Sequence, residues 1–166
     1  MAIVQTINGD AYIAGDLSAR TMSIPAGTVD DEDVKAAADI AATKLEHQYQ
    51  KVYAQESDTT AAAEDRVVHA VYGATGTVIA FEAGAVAACT GDAMITVDLH
   101  KNGASILTEA IVLDSGDAAY ALVAGSIDSA ALVDGDVLEI VITVNAGTGT
   151  LGKGVFASVI IREDAQ

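Results

Sequence analysis

The sequence predicts a mainly β protein: a C-terminal antiparallel β-sandwich, jelly-roll-like, preceded by an extended N-terminal arm with a short helix. Three observations carry that expectation. The chain changes character near residue 65, from a polar, alanine-clustered stretch with the single proline, Pro25, to a series of short apolar segments. Those segments recur about every ten residues between glycine and aspartate turns, with no helical pattern between them, which suits a sandwich or jelly roll. Several of them alternate apolar and polar side chains, the mark of a strand with one buried face. Residues 1–64 are accordingly read as arm, helix and linker, and 65–166 as the β-domain.

Residues 3–24 alternate apolar and polar positions, with turn signals at Asn8-Gly9-Asp10 and Gly15-Asp16. Strands this short are not stable alone and need a partner sheet or the same segment of a neighbouring subunit. Ile3, Val4, Ile7, Tyr12, Ile13, Leu17, Met22 and Ile24 are therefore candidate interface residues. Pro25 and Gly27 break the run. Residues 29–49 read as a helix, capped by Asp30 or Asp31, with Lys44 and His47 toward the end where they suit the macrodipole. Val34, Ile40 and Leu45, with the intervening alanines, give a thin stripe suited to close packing against another chain; a marginal helix is the other reading. Residues 50–65 read as a linker or collar. Tyr49 and Tyr53 lie four apart and share a helix face, where they would pack at an interface or form a structural tyrosine pair.

From residue 66 the reading is β. RVVHAVYG (66–73) and GTVIAFEAG (76–84) are the first two strands expected in this half. AMITVDLHKNG (93–103) is a third, in which Ile95, Val97 and Leu99 alternate with Thr96, Asp98 and His100. Asn102-Gly103 signals a type I′ hairpin turn, with SILTEAIVL (105–113) returning as the next strand. A weak strand is expected at 119–123, then VLEIVITV (137–144) after the turn Asp134-Gly135-Asp136, and VFASVIIRE (155–163) at the end. The first and last of these strands are both rich in valine and isoleucine. They are expected to pair, bringing residues 66 and 162 together.

Charge and composition narrow the function. Twenty-four acidic residues against eight Lys plus Arg give a formal charge of −16. Such a field repels phosphate backbones and anionic bilayers, so neither nucleic acid nor membrane is expected as a partner. The acidity fits solubility, docking onto a basic surface, or high salt. Much of the 51% apolar content is alanine and aromatics are 4%, so a single copy has a lean core and association would add burial. Cys89 is the one cysteine and is read as an inert buried thiol. The N-terminus carries no secretion-signal pattern, and no apolar run is long enough to span a bilayer.

The chemistry-bearing residues do not assemble into a site. His47, His69 and His100 are scattered without metal-ligand spacing, and His69 is read as a hydrogen-bonded structural residue. No GxSxG, Walker or dinucleotide fingerprint occurs. The acidic run 30–33 lacks the spacing of a calcium loop and reads better as a solvated helix start. Asp98 and Glu109, across a hairpin, imitate a glycosidase pair, but no tryptophan supplies a sugar platform. The expectation is a non-enzyme with no cofactor and no metal.

ITVDLHKNGASILTEAIVL, ALVDGDVLEIVITV and GVFASVIIRED form an ordered series that resembles jelly-roll domains of tailed-bacteriophage structural proteins. The upstream stretch from GDLSARTMSIPAG through KVYAQE is similar to the N-terminal arms of phage head decoration (cement) or fibre proteins. The resemblance implies a structural virion protein: a capsid decoration protein, homotrimeric, binding the major capsid protein through its arm and stabilising the head. It would sit on the capsid exterior after synthesis in the host cytoplasm. The alternative is a head- or tail-fibre module for host-surface carbohydrate adhesion. The resemblance carries no catalytic residues; Lys101, Asn102, Gly103, Gly135 and Asp136 match turn motifs and are fold positions.

Overall fold

Alternation along MITVDLHK and VLEIVITV dictates the architecture: every second side chain leaves water, and two such faces must close on each other. The computed structural model describes residues 46–164. Its strands are β1 (His47–Ala54), β2 (Glu64–Ala70), β3 (Gly76–Ala87), β4 (Met94–Lys101), β5 (Ala104–Ser105), β6 (Ile111–Leu113), β7 (Val123–Ala124), β8 (Ala131–Leu132), β9 (Val137–Asn145) and β10 (Lys153–Glu163). The described residues contain no helix. One sheet runs β1-β10-β3-β7 with β8 also on β3; the other runs β2-β9-β4-β5 with β6 also on β4. All the pairings are antiparallel. The two sheets form a β-sandwich.

The core lies between the sheets. The first contributes Val78, Phe81, Val155, Val159 and Ile161, the second Ile95, Val97, Leu99, Leu138, Ile140 and Ile142, all at most 2% exposed. Each such side chain contributes about 1.5–3 kcal/mol on burial, so one copy sustains a core despite its alanines. Those alanines have a place: Ala157 and Ala83 are register neighbours beside Tyr53, which packs onto the core from the edge. Cys89 is buried and its sulfur accepts the Gly152 N–H at 3.3 Å.

The Asn102-Gly103 hairpin is present as expected. Lys101 pairs with Ala104, and Asn102 and Gly103 have φ of 53° and 80°, the two positive values that a type I′ turn requires. Gly84 answers a different need. A Cβ there would lie 2.3 Å from the Ala121 carbonyl oxygen and 2.7 Å from the Phe156 ring, so the chain after β6 and the Phe156 ring both close over bare backbone.

Several expectations are corrected. The helix expected over 29–49 gives way at its described end, where His47–Tyr49 belong to β1, and the linker expected at 50–65 holds the rest of β1 and the start of β2. The sandwich thus begins upstream of residue 65, with β1 at His47. The first and last valine-rich strands do not pair. Arg66 lies opposite Ile140 in the second sheet, whereas β10 lies between β1 and β3 in the first. The return strand 105–113 is broken into β5 and β6, because Leu107 leaves the ladder to bridge Ile127. Residues 118–121 form a turn closed by the Ala121 N–H on the Ala118 carbonyl, with Tyr120 at φ 62°, and strand β7 starts only at Val123.

Candidate functional site

Ile3, Val4, Ile7, Tyr12, Ile13, Leu17, Met22, Ile24, Val34, Ile40 and Leu45 lie outside the described residues, as does the acidic run 30–33. Tyr49 and Tyr53 are described, and both are on β1. A spacing of four places them on one face of a strand as it would on a helix, and that face turns inward. The Tyr49 hydroxyl donates to Glu163, and the Tyr53 hydroxyl donates to Glu64. Both rings pack against the core. Gln48, Gln50, Val52 and Ala54 occupy the exposed positions of the same strand.

β1 and β2 are terminal strands of their respective sheets in the described strand order, and they flank an open groove of about 400 Å³. Lys51, Tyr53, Arg66 and Val68 line it, with Val52 and Val67 on its rims at 64% and 60% exposed. Part of its polar lining is already committed. Arg66 Nε donates to Glu64 Oε1 at 2.5 Å and Gln50 Nε2 to Ser158 Oγ at 2.8 Å, while the Lys51 ammonium lies 5.6 Å from the centre of the Tyr49 ring. The hydrogen bond from Tyr53, aided by Arg66, holds Glu64 below the usual carboxylate range. Burial and the Glu64 carboxylate push the Tyr53 hydroxyl up, and Glu163 does the same to Tyr49, chiefly by accepting its hydrogen bond. These carboxylates hold tyrosines in place; none is poised as a base.

His69 faces the same edge. Its ring lies 6.2 Å from that of Tyr49, and its Nε2 is buried without a hydrogen-bond partner. The hydrogen-bonded histidine expected from the sequence is not what the structure holds. Burial, reinforced by Lys51 and opposed by Glu163, lowers its pKa.

One cluster imitates hydrolytic chemistry. Ser105 Oγ donates to Asp98 Oδ1 at 2.9 Å, and His100 Nε2 is 3.1 Å from Asp98 Oδ2. The carboxylate therefore sits between the hydroxyl and the imidazole. A nucleophile needs its hydroxyl on the imidazole, with the carboxylate behind; this order activates nothing. Among the described residues no group of three or more His, Cys, Asp or Glu is placed to hold a metal ion.

The two outer sheet faces differ in charge. On the first sheet, register aligns Gln50 with Ile160 and Ala80, Val52 with Ser158 and Glu82, and Ala54 with Phe156 and Gly84. A register shift beside Ile160 leaves Ile79 exposed next to Ala80. On the second sheet, Asp65 aligns with Val141 and Asp98, and Val67 with Glu139 and His100. These rows carry three carboxylates and no lysine or arginine.

The exposed tyrosines of the loops are far apart. Tyr72, 93% exposed, precedes the start of β3, whereas the Tyr120 N–H bonds to the Ala85 carbonyl near its end. Nine residues of strand, about 30 Å, separate the two positions along β3. They do not form one stacking platform.

No protein-family model matches the sequence, and no curated protein matches it. Sequence reasoning missed Glu64, Glu163 and Asp136 as partners of Tyr53, Tyr49 and Asn102. The last two pairs span 114 and 34 residues of chain, and no local pattern signals them.

Proposed function

We propose that this chain is a structural virion protein, a capsid decoration protein that binds the outer capsid surface as a homotrimer and is not an enzyme. The observation that carries the reading is the strand order. A β1-β10-β3-β7 sheet facing a β2-β9-β4-β5 sheet is the order produced when a long β-hairpin ribbon rolls up: β1 pairs β10, β2 pairs β9, and β3 and β4 join the far sides of β10 and β9. On this reading the domain is a jelly roll, an architecture that recurs in viral capsid and lectin domains. The resemblance of the hairpin, turn and final-strand series to phage jelly rolls supports the first of those uses. The wide separation of Tyr72 and Tyr120 favours it over carbohydrate adhesion, which stacks sugars on clustered rings. Three arms on one trimer would grip the major capsid protein with avidity.

The test mixes the full chain, and a fragment of residues 46–166, with expanded heads of the phage that encodes it, followed by co-sedimentation. The reading expects the full chain to pellet at many copies per head and the fragment to stay in solution. Failure of the full chain to pellet sinks it, and a few copies per particle at a fibre tip would replace it with the adhesion module.

A further inference from the structure

We infer that the outer face of the first sheet is the surface through which copies of this chain associate. The inference rests on the self-association in the reading above and names the face that performs it. Its motive is charge. Two copies of a chain with a net charge of −16 repel each other, and contact is least opposed where the surface is neutral. The aligned rows of this face hold Val52, Ile160, Phe156 and Ala80 around one carboxylate, Glu82, while Arg162 further along β10 lies 3.9 Å from Asp164. The other outer face presents Asp65, Asp98 and Glu139 with no lysine or arginine in their rows, so a second copy approaching there meets like charge.

Depletion of charge at the centre of a patch, rather than bulk hydrophobicity, is what distinguishes protein interfaces. Val52 and Ile79 are 64% and 45% exposed on the neutral face, where a self-contact would cover them. The face is modest: β1, β10 and β3, of 8, 11 and 12 residues, with the two-residue β7 and β8 beside β3, give about 550 Å², below the roughly 800 Å² per partner of a standard interface. A partner with a strongly charged surface gains nothing from a neutral sheet, whereas a second copy avoids its own field there.

The experiment is sedimentation equilibrium of the full chain at micromolar concentration, for the wild type, Val52→Glu, Ile79→Glu and Val112→Glu. Val112 is an exposed strand residue of the other sheet and serves as the control; circular dichroism verifies that each variant is folded. The expected result is a multimeric wild type, association weakened about tenfold or more by glutamate at Val52 or Ile79, and no change at Val112. Two independent positions keep the test alive if one variant misfolds. A single-copy wild type overturns the inference, as does dissociation by Val112→Glu with Val52→Glu and Ile79→Glu unaffected. A two-copy mass that responds to Val52 keeps the face and removes the three-fold reading. Association by a chain that fails to pellet with heads keeps the face and removes the capsid role.

Discussion

The side-chain amide of Asn102 donates to Asp136 Oδ1 at 2.7 Å, while its oxygen accepts the Val137 N–H at 2.9 Å. The β4–β5 turn and the turn before β9 are thereby fastened to each other. The far carboxylate oxygen, Asp136 Oδ2, accepts the Val133 N–H at 2.9 Å, so one buried carboxylate closes its own turn and anchors a second.

Asn102 therefore does two things: it adopts a positive φ and it supplies the clamp. Asn102→Ala loses both and is expected to cost about 1–3 kcal/mol. Asn102→Gly keeps the backbone conformation, loses only the clamp, and should cost less. Urea denaturation of both variants checks the order, and an alanine variant as stable as the wild type refutes the clamp.

Acid should unfold the sandwich through named carboxylates. The Val133 N–H, then Asn102, hold Asp136 below the usual carboxylate range, and the Thr148 N–H and hydroxyl do so for Asp92. A pKa lowered in the native state contributes stability above the unfolded value, about 4, and that contribution is lost as pH falls through the native value. Thermal midpoints should drop steeply below pH about 4. Asp136→Asn should lower stability at neutral pH, because the two donors address different carboxylate oxygens and an amide sets an NH2 against one of them, and should flatten the acid limb. An unchanged acid limb in that variant would remove Asp136 from the account.

His69 sets a second window. Its native pKa is lowered, chiefly by burial, so the neutral ring is the folded form. The unfolded chain takes up the proton first, near pH 6.5, and stability declines from about there downward. His69→Leu should abolish that decline, and because Nε2 has no partner to lose it should be near-neutral at pH 8. Equal pH slopes for wild type and variant between about pH 6.5 and 5 would contradict this.

Truncation separates the expected domain boundary from the observed one. A fragment of residues 46–166 should fold cooperatively, since it keeps β1. A fragment of 66–166 loses the eight residues paired with β10 and the Tyr49 and Tyr53 rings that cover the core edge. It should be molten or aggregate, exposing an unpaired β10 edge. Amide dispersion in an NMR correlation spectrum distinguishes the two, and a well-dispersed 66–166 spectrum overturns the prediction.

Legibility followed burial. β4, β9 and β10 could be read because their inner positions are Ile, Val and Leu, with water on the other side. β1 could not: HQYQKVYA turns tyrosine and lysine inward at a sheet edge, so its alternation is hidden in polar letters. The Tyr49/Tyr53 spacing of four is also degenerate, because it fits one helix turn and two strand repeats equally. The pairing of strands was misjudged where composition stood in for topology, since β2 and β10 share valines but lie in different sheets. Of the candidate interface, only the two tyrosines fall within the described residues, and their hydroxyls are occupied by Glu163 and Glu64, partners no spacing rule reaches.

β10 sits between β1 and β3, joined to β1 by a register that couples His47 to Glu163. During synthesis the ribosome releases β1 and β3 before β10, so the first sheet lacks its middle strand until the whole sandwich has emerged. Folding is then slow, governed by long-range closure. Over that interval β1 and β3 wait as unsatisfied edges, open to the same strands of other nascent copies on a polysome.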